Sequence, residues 1–190
     1  MSAASATLAP PVNIVSHLPD LPADRVRSML AGLPPSDGYP VYVRPLRWRT
    51  RPHLSAYTSF DDREIVLQVP RPFLPFGEIV PYAARRLPGQ GMRFVWLTEG
   101  ITLRSEREVL RYLYLHEWMH WWLREVLGRK GKAETACERF ALRNYLREGP
   151  VTEADARLAL KRKLVTPPEE RPPVDGDGRL FLLPPYAEVR

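Results

Sequence analysis

The feature that most constrains this chain is an H-E-x-x-H motif formed by His116, Glu117 and His120. On a helix, residues four positions apart lie one turn apart on the same face. Two imidazoles in that arrangement can bind one Zn²⁺, and the glutamate between them can reach a water held by the same cation. Because the cation stabilises hydroxide, that water becomes a nucleophile near neutral pH. The motif therefore predicts a zinc site with His116 and His120 as ligands and Glu117 as the general base.

The sequence around the motif predicts the helix on which it depends. Ser105 and Glu108 form a capping box, in which the serine accepts a hydrogen bond from the amide of Glu108 and the glutamate reaches back. Apolar residues follow with helical spacing, and Gly128 is a natural end point. We therefore expect the motif inside a helix of about five to six turns.

A catalytic zinc usually has three protein ligands, and the composition restricts the third one. The chain contains four histidines, and none of them follows His120. Families whose third ligand is a downstream histidine, such as the metzincins, are therefore excluded. The remaining candidates are Glu134 and Glu138, on a second predicted helix over residues 133–146. If that helix ran straight back along the first one, Glu138 would lie closer to His120 by about 6 Å along the axis.

The segment E-T-A-C-E-R-F-A at residues 134–141 resembles the E-x-x-A-[DN]-x-F-A signature that follows H-E-x-x-H in several gluzincin peptidases. These include the ImmA/IrrE-type proteins, which act on phage-type and radiation-response repressors, and the CAAX prenyl-protease group. The resemblance covers residues 101–146 and implies a zinc metalloendopeptidase with a protein or peptide substrate, such as one regulatory protein. It also implies that Glu134 is the third Zn²⁺ ligand and that Glu138 orients a histidine.

The chain departs from this signature at three positions. Cys137 stands where alanine is usual, Glu138 replaces Asp or Asn, and Met119 precedes the second histidine where glycine is typical. Cys137 can be interpreted as a thiolate ligand or as a small core residue. Its place on the same helix as two carboxylates favours the core.

The remaining patterns, together with the resemblance, predict a zincin-like α+β fold. In it, a small, mostly antiparallel or mixed sheet packs on the H-E-x-x-H helix and on the following glutamate-bearing helix. We expect one domain over residues 21–165, a flexible segment over 1–20 and a Pro-rich tail over 166–190 that can dock on the domain. The other expected elements are a helix opening at residues 21–24, extended chain over 39–50, a hairpin over 54–69, an irregular functional loop over 71–91, strands over 92–97 and 101–103, and a third helix over 152–164.

Peptide hydrolysis also needs a donor for the oxyanion and a surface that holds the substrate. Tyr145, Tyr112 or an arginine can supply the donor, and the sequence does not select among them. An extended substrate is expected to pair with an edge strand, for which we select Met92–Leu103.

An arginine-rich stretch supports a different function. Arg47, Arg49 and Arg51 alternate with apolar residues that include Trp48, so a strand would place the arginines on one face. Together with Arg44 they form a candidate nucleic-acid surface, although the solvated face of an edge strand has the same pattern. A proteolytically silent zinc-binding scaffold is a second alternative, against which the retained glutamate of the motif argues.

The composition sets wider limits. The net charge of +6 and the isoelectric point near 9.7 permit nucleic-acid or acidic partners without requiring them. The single cysteine excludes an internal disulfide and fits a reducing compartment. The first residues lack the charged and apolar parts of a signal peptide, and no apolar run reaches transmembrane length. We therefore expect a soluble cytoplasmic protein without a membrane partner.

Overall fold

The computed structural model describes residues 13–86, 94–131 and 133–161. The predicted tail over 166–190 and residues 1–12 of the predicted flexible segment lie outside these ranges. The described chain contains β1 (Ile14–Ser16), α1 (Ala23–Met29), β2 (Val41–Arg47), β3 (Ser55–Ser59), β4 (Glu64–Arg71), β5 (Phe76–Arg86), β6 (Phe94–Leu103), α2 (Glu106–Trp121), α3 (Glu134–Asn144) and α4 (Glu153–Leu160). The predicted α+β class is confirmed.

Four of the strands form a mixed sheet in the order β1-β2-β4-β3. β2 is parallel to both β1 and β4, and β3 is antiparallel to β4 at one edge. Val41 and Val43 on β2 and Ile65 and Leu67 on β4 are fully buried on one face, as the two-residue period of a strand requires. This face packs against α2. The predicted hairpin is confirmed as β3 and β4.

The first strand of this sheet differs from the expectation. Residues 14–16 pair in parallel with residues 41–43, where the sequence predicted flexible chain up to residue 20. A strand of three residues is too short for a two-residue period to be recognised, and its burial depends on a partner distant in sequence.

The other two strands form a long antiparallel ribbon, which contradicts two predictions. β5 replaces most of the expected irregular loop, and β6 continues through Gly100, where a turn was expected. Pro81 is accommodated because the register of the ribbon shifts between Pro81 and Ala83, and proline is tolerated at such irregularities. Gly100 pairs with Ile79 inside the ribbon.

Helix α2 begins as predicted at Ser105, whose hydroxyl accepts from the amide of Glu108 at 3.3 Å. The Glu108 carboxylate in turn accepts from the amide of Arg104 at 2.7 Å. The helix then continues into a π-helical turn (Trp122–Val126). Gly128, at a φ of 65° that favours glycine, follows the capping residue Leu127, so the predicted start and end of this helical segment are confirmed.

One side of α2, which we call the anchoring side, carries buried donors that bind distant backbone. Arg111 donates to four carbonyls, those of Met29, Ala31, Tyr145 and Arg147. The Tyr114 hydroxyl donates to the carbonyl of Pro34 at 2.7 Å. The Trp118 indole N–H donates to the carbonyl of Pro35 at 2.8 Å. These contacts satisfy buried polar groups and attach α2 to the chain around α1 and after α3.

Helix α3 packs beside α2, and α4 follows it. Phe140 of α3 lies against the ring of Trp118, with the ring centroids 5.4 Å apart. Thr152 and Asp155 form a capping box at the start of α4. Both helices were predicted from the sequence, although α4 ends at Leu160 rather than near residue 164.

Candidate metal centre

The packing of α2 on α3 brings together three atoms that can each donate an electron pair to a metal ion. We call this set of atoms the donor triangle. The Nε2 atoms of His116 and His120 are 3.1 Å apart. The Oε2 atom of Glu134 lies 3.4 Å from Nε2 of His116 and 3.3 Å from Nε2 of His120. Ligands at the usual zinc bond lengths of about 2.0–2.2 Å in a tetrahedron are about 3.3–3.6 Å apart. The two sides to Glu134 lie in this range and the side between the histidines is slightly shorter, so the donor triangle is close in size to one face of a zinc coordination tetrahedron.

The donor triangle is accessible from one side. The two histidine side chains are mostly buried, whereas the Glu134 side chain is 57% exposed. Glu134 is also the first residue of α3, where the connection from α2 ends. A cation and its remaining ligands can therefore approach from the Glu134 side.

Glu138 occupies a different position around His116. Its Oε2 atom lies 3.5 Å from Nδ1 of His116, on the opposite ring nitrogen from the one in the donor triangle. Of the two sequence candidates, the structure thus places Glu134 in the donor triangle and Glu138 behind His116. A regular helix up to residue 127 would place Glu138 closer to His120 along the axis. In the structure, residues 122–126 form a π-helical turn instead.

The two tyrosines expected as oxyanion donors lie behind the donor triangle. Tyr112 is only 2% exposed, and its hydroxyl donates to Oε2 of Glu138. Tyr145 is buried edge-on against Tyr112, with the ring centroids 5.6 Å apart. Burial, followed by the charges of Glu108 and Glu99, raises the pKa of Tyr145 to about 12. The Tyr112 hydroxyl is thus engaged by Glu138, and an oxyanion role for either tyrosine stays a prediction.

Glu117, the predicted general base, is held by a residue that the sequence analysis missed. The hydroxyl of Thr58 donates to Oε2 of Glu117 at 2.8 Å and lies 3.2 Å from the backbone carbonyl of the same residue. Thr58 belongs to β3, the edge strand of the four-stranded sheet. No local signal marks this threonine, because its partner is 59 residues away along the chain. Burial raises the pKa of Glu117 against the opposing effects of His116 and Thr58.

The charges at the donor triangle are unevenly distributed. Burial opposes a proton on His116, but hydrogen bonds to Glu134 and Glu138 outweigh it and raise the pKa of His116 to about 10. The same pairing with His116 lowers the pKa of Glu134 to about 2. For His120, burial and the charge of His116 lower the pKa. The carboxylates of Glu117, Glu134 and Glu138 thus share a small volume that favours positive charge, which is the environment that a divalent cation requires.

Cys137 is a core residue rather than a ligand. It is fully buried on α3, and burial together with Glu134 raises the pKa of its thiol well above the ordinary value. A thiol that stays protonated is a poor metal ligand, because the thiolate is the form that binds. This agrees with the interpretation that its helical position favoured.

The arginine-rich stretch does not form the common face expected of a strand. β2 ends at Arg47, so Arg49 and Arg51 follow it in irregular chain. The indole N–H of Trp48 donates to the carbonyl of Pro72 at 3.3 Å. The alternation of arginine with apolar residues therefore continues beyond the end of β2. Only within a strand would this alternation place the arginines on one side.

The edge strand next to the motif is also different from the expected one. β6, which contains most of the stretch Met92–Leu103, pairs with β5 in the separate ribbon. β3 packs on α2 and reaches Glu117 through Thr58. β3 is therefore an edge strand that reaches the general base, whereas β5 and β6 pack on α3 and α2.

Comparison of the chain with protein-family models, curated proteins and solved structures finds no match. Among the described residues, every helix is too short or too polar to cross a lipid bilayer.

Proposed function

We propose that the protein is a zinc-dependent metallopeptidase of the gluzincin type with a zincin-like arrangement of sheet and helix pair. The observation that carries the proposal is the donor triangle of His116, His120 and Glu134, whose sides are close in length to those of a zinc tetrahedron. Among the residues that the structure describes, three side chains form it, and its Glu134 side is exposed. An open fourth position distinguishes catalytic zinc sites from closed structural ones.

The residues around the donor triangle suit hydrolysis of a peptide bond. Zn²⁺ at this position would polarise a substrate carbonyl and lower the pKa of a water. Glu117 would accept a proton from the attacking water and deliver it to the leaving amine. Thr58 fixes one oxygen of the Glu117 carboxylate, and burial raises the pKa of Glu117. A raised pKa suits a carboxyl group that must retain a proton between these two steps.

The substrate is proposed to be an extended segment of a protein, such as one regulatory partner. β3 lies at the edge of its sheet, so one side of its backbone is available for pairing with another chain. Its inward residue Thr58 contacts Glu117, so a peptide added to β3 would lie beside the general base. We therefore assign substrate pairing to β3 instead of Met92–Leu103.

Metal analysis tests the zinc ligands without knowledge of the substrate. The wild-type chain is expected to bind one Zn²⁺ per molecule, and Glu134→Ala is expected to lose affinity by more than the about 10–100-fold that is typical for groups that only orient a ligand. Glu138→Ala, the matched variant four residues later, is expected to retain zinc with a smaller loss. Equal zinc affinity in wild type and Glu134→Ala would contradict the ligand assignment.

A second experiment tests hydrolysis. The zinc-loaded protein is incubated with a diverse peptide library, and the products are identified by mass spectrometry. We expect cleavage that a chelator abolishes, and no cleavage by Glu117→Gln at unchanged zinc content. Cleavage by Glu117→Gln would contradict the role of Glu117. Stoichiometric zinc without any cleavage would favour the silent scaffold.

A further inference from the structure

We propose that Tyr112 is a positioning residue of the metal centre, which acts on zinc affinity through Glu138 and His116 without contacting the metal. The inference rests on the proposed zinc site and extends it to a residue that no motif marks. Tyr112 lies one helical turn before His116 on α2, whereas Glu138 approaches both residues from α3.

The geometry places two donors on one carboxylate oxygen. Oε2 of Glu138 accepts from the Tyr112 hydroxyl and lies 3.5 Å from Nδ1 of His116. A carboxylate that accepts from Nδ1–H fixes the histidine tautomer that leaves the lone pair on Nε2. Nε2 is the atom of His116 in the donor triangle. The hydroxyl of Tyr112 therefore sets the position of the group that in turn sets the ring of His116.

Tyr112 also restricts what Glu138 can do. Glu134 and Glu138 are four residues apart on α3, so both carboxylates lie on the side that faces the histidines. The Glu138 side chain is 17% exposed and close enough to His116 to compete with Glu134 for a cation. The hydroxyl of Tyr112 holds Glu138 on the Nδ1 side. Without it, Glu138 gains freedom to rotate, and the division of roles between the two glutamates is weakened.

The same helix supplies a matched control. Tyr114 is buried like Tyr112, but its hydroxyl donates to the carbonyl of Pro34 on the anchoring side of α2. A change of either tyrosine to phenylalanine removes one buried hydroxyl and keeps the ring. Only the change at Tyr112 removes a hydrogen bond of Glu138.

The test is a double-mutant cycle on zinc affinity, measured by competition with a chromophoric chelator on the full chain. Tyr112→Phe and Glu138→Ala are each expected to weaken zinc binding by about tenfold, at the lower end of the range for groups that orient a ligand. Tyr114→Phe is expected to leave zinc affinity unchanged while it lowers stability. The double variant Tyr112→Phe/Glu138→Ala is expected to bind zinc no more weakly than Glu138→Ala alone, because Tyr112 acts through Glu138.

The outcomes separate this inference from the proposed function. If wild type binds zinc and Tyr112→Phe binds it equally well, or if the two losses multiply in the double variant, the positioning role is overturned while the zinc site stands. If wild type binds no zinc, both fail. Should Tyr112→Phe not fold, Glu138→Ala alone decides, because unchanged zinc affinity in that variant would remove the group through which Tyr112 is proposed to act.

Discussion

The buried polar groups on the two sides of helix α2 have different kinds of partner. On the anchoring side, the donors of Arg111, Tyr114 and Trp118 each reach backbone carbonyls. The other side carries His116 and His120, roughly 160° around the helix at 3.6 residues per turn. There the partners are ionisable side chains of α3 rather than backbone.

This difference distinguishes buried polarity that holds a fold from buried polarity that forms a site. A donor that ends on a neutral carbonyl is satisfied, and it needs nothing further. A group of carboxylates around two imidazoles is balanced only by added positive charge, either protons or a metal ion. Substitutions on the anchoring side should therefore change stability, and substitutions on the other side should change metal affinity.

The largest effect is expected at Arg111. Arg111→Met removes hydrogen bonds to four carbonyls and leaves these carbonyls buried without a donor. We expect the free energy of unfolding to fall by about 3–5 kcal/mol, because several buried acceptors lose their donor at once. Urea unfolding of the metal-free chain measures this change. Zinc bound per folded molecule should equal that of wild type, and a loss of zinc from the folded fraction would show that the two sides are not separable.

On the opposite side, His120→Gln should give the reverse result. Loss of a ligand is expected to weaken zinc binding by more than a hundredfold, or about 2.7 kcal/mol. The free energy of unfolding of the metal-free chain should change by less than about 1 kcal/mol, because the partners of His120 are His116 and Glu134 and not distant backbone. Chelator competition and urea unfolding give the two numbers. A large loss of stability at unchanged zinc affinity would reverse the assignment of this side.

A smaller effect is expected from Trp118→Phe, which removes a single hydrogen-bond donor from the anchoring side and so sharpens the comparison of the two sides. The carbonyl of Pro35 loses its partner and the smaller ring leaves unfilled space beside Phe140. We expect a loss of about 1–3 kcal/mol in the free energy of unfolding. Zinc affinity, measured in parallel, is the control and should not change although Trp118 lies within the H-E-x-x-H motif.

The smallest effect is expected at α4, which belongs to neither side. Asp155→Ala removes the capping box with Thr152 and the ion pair with Arg147, and should cost about 1 kcal/mol at neutral pH. Burial opposes the charge on Asp155, but hydrogen bonds to Thr152 and Arg147 keep its pKa below the ordinary 3.8. The contribution is therefore present above pH 3.8 and is lost as the pH falls through the lowered pKa. Unfolding curves of the variant and wild type should converge at low pH, and a constant difference would exclude the charged form as the cause.

Sequence patterns predicted the helices better than the strands. Ser105 and Gly128 mark the two ends of the helical segment that carries the motif, and each does so through its own local backbone chemistry. Both ends are present in the structure. The ribbon was missed because Pro81 and Gly100 look like breakers until the partner strand is known. Local signals describe a helix because its hydrogen bonds are local, whereas the bonds of a strand depend on residues distant in sequence.

The same limit applies to the candidate site. The H-E-x-x-H spacing alone predicted that His116 and His120 share one face of the helix, and their rings are adjacent in the structure. The two glutamates of α3 were also recognised as a pair from the sequence. Their distinct positions around His116 depend on how α3 packs after the π-helical turn, which no spacing rule includes. Thr58 could not be found from the sequence, because its contact with Glu117 requires the hairpin to lie against α2.

The exposure of Glu134 has a consequence for how the protein is supplied with metal. Glu134 stands at the first position of α3, outside the buried core, so an ion can enter or leave without any core side chain moving. If the donor triangle binds zinc as proposed, uptake would be a reversible equilibrium with the surrounding zinc pool and would not have to accompany folding. The fraction of loaded molecules, and with it any turnover, would follow the free zinc concentration of the compartment in which the chain resides.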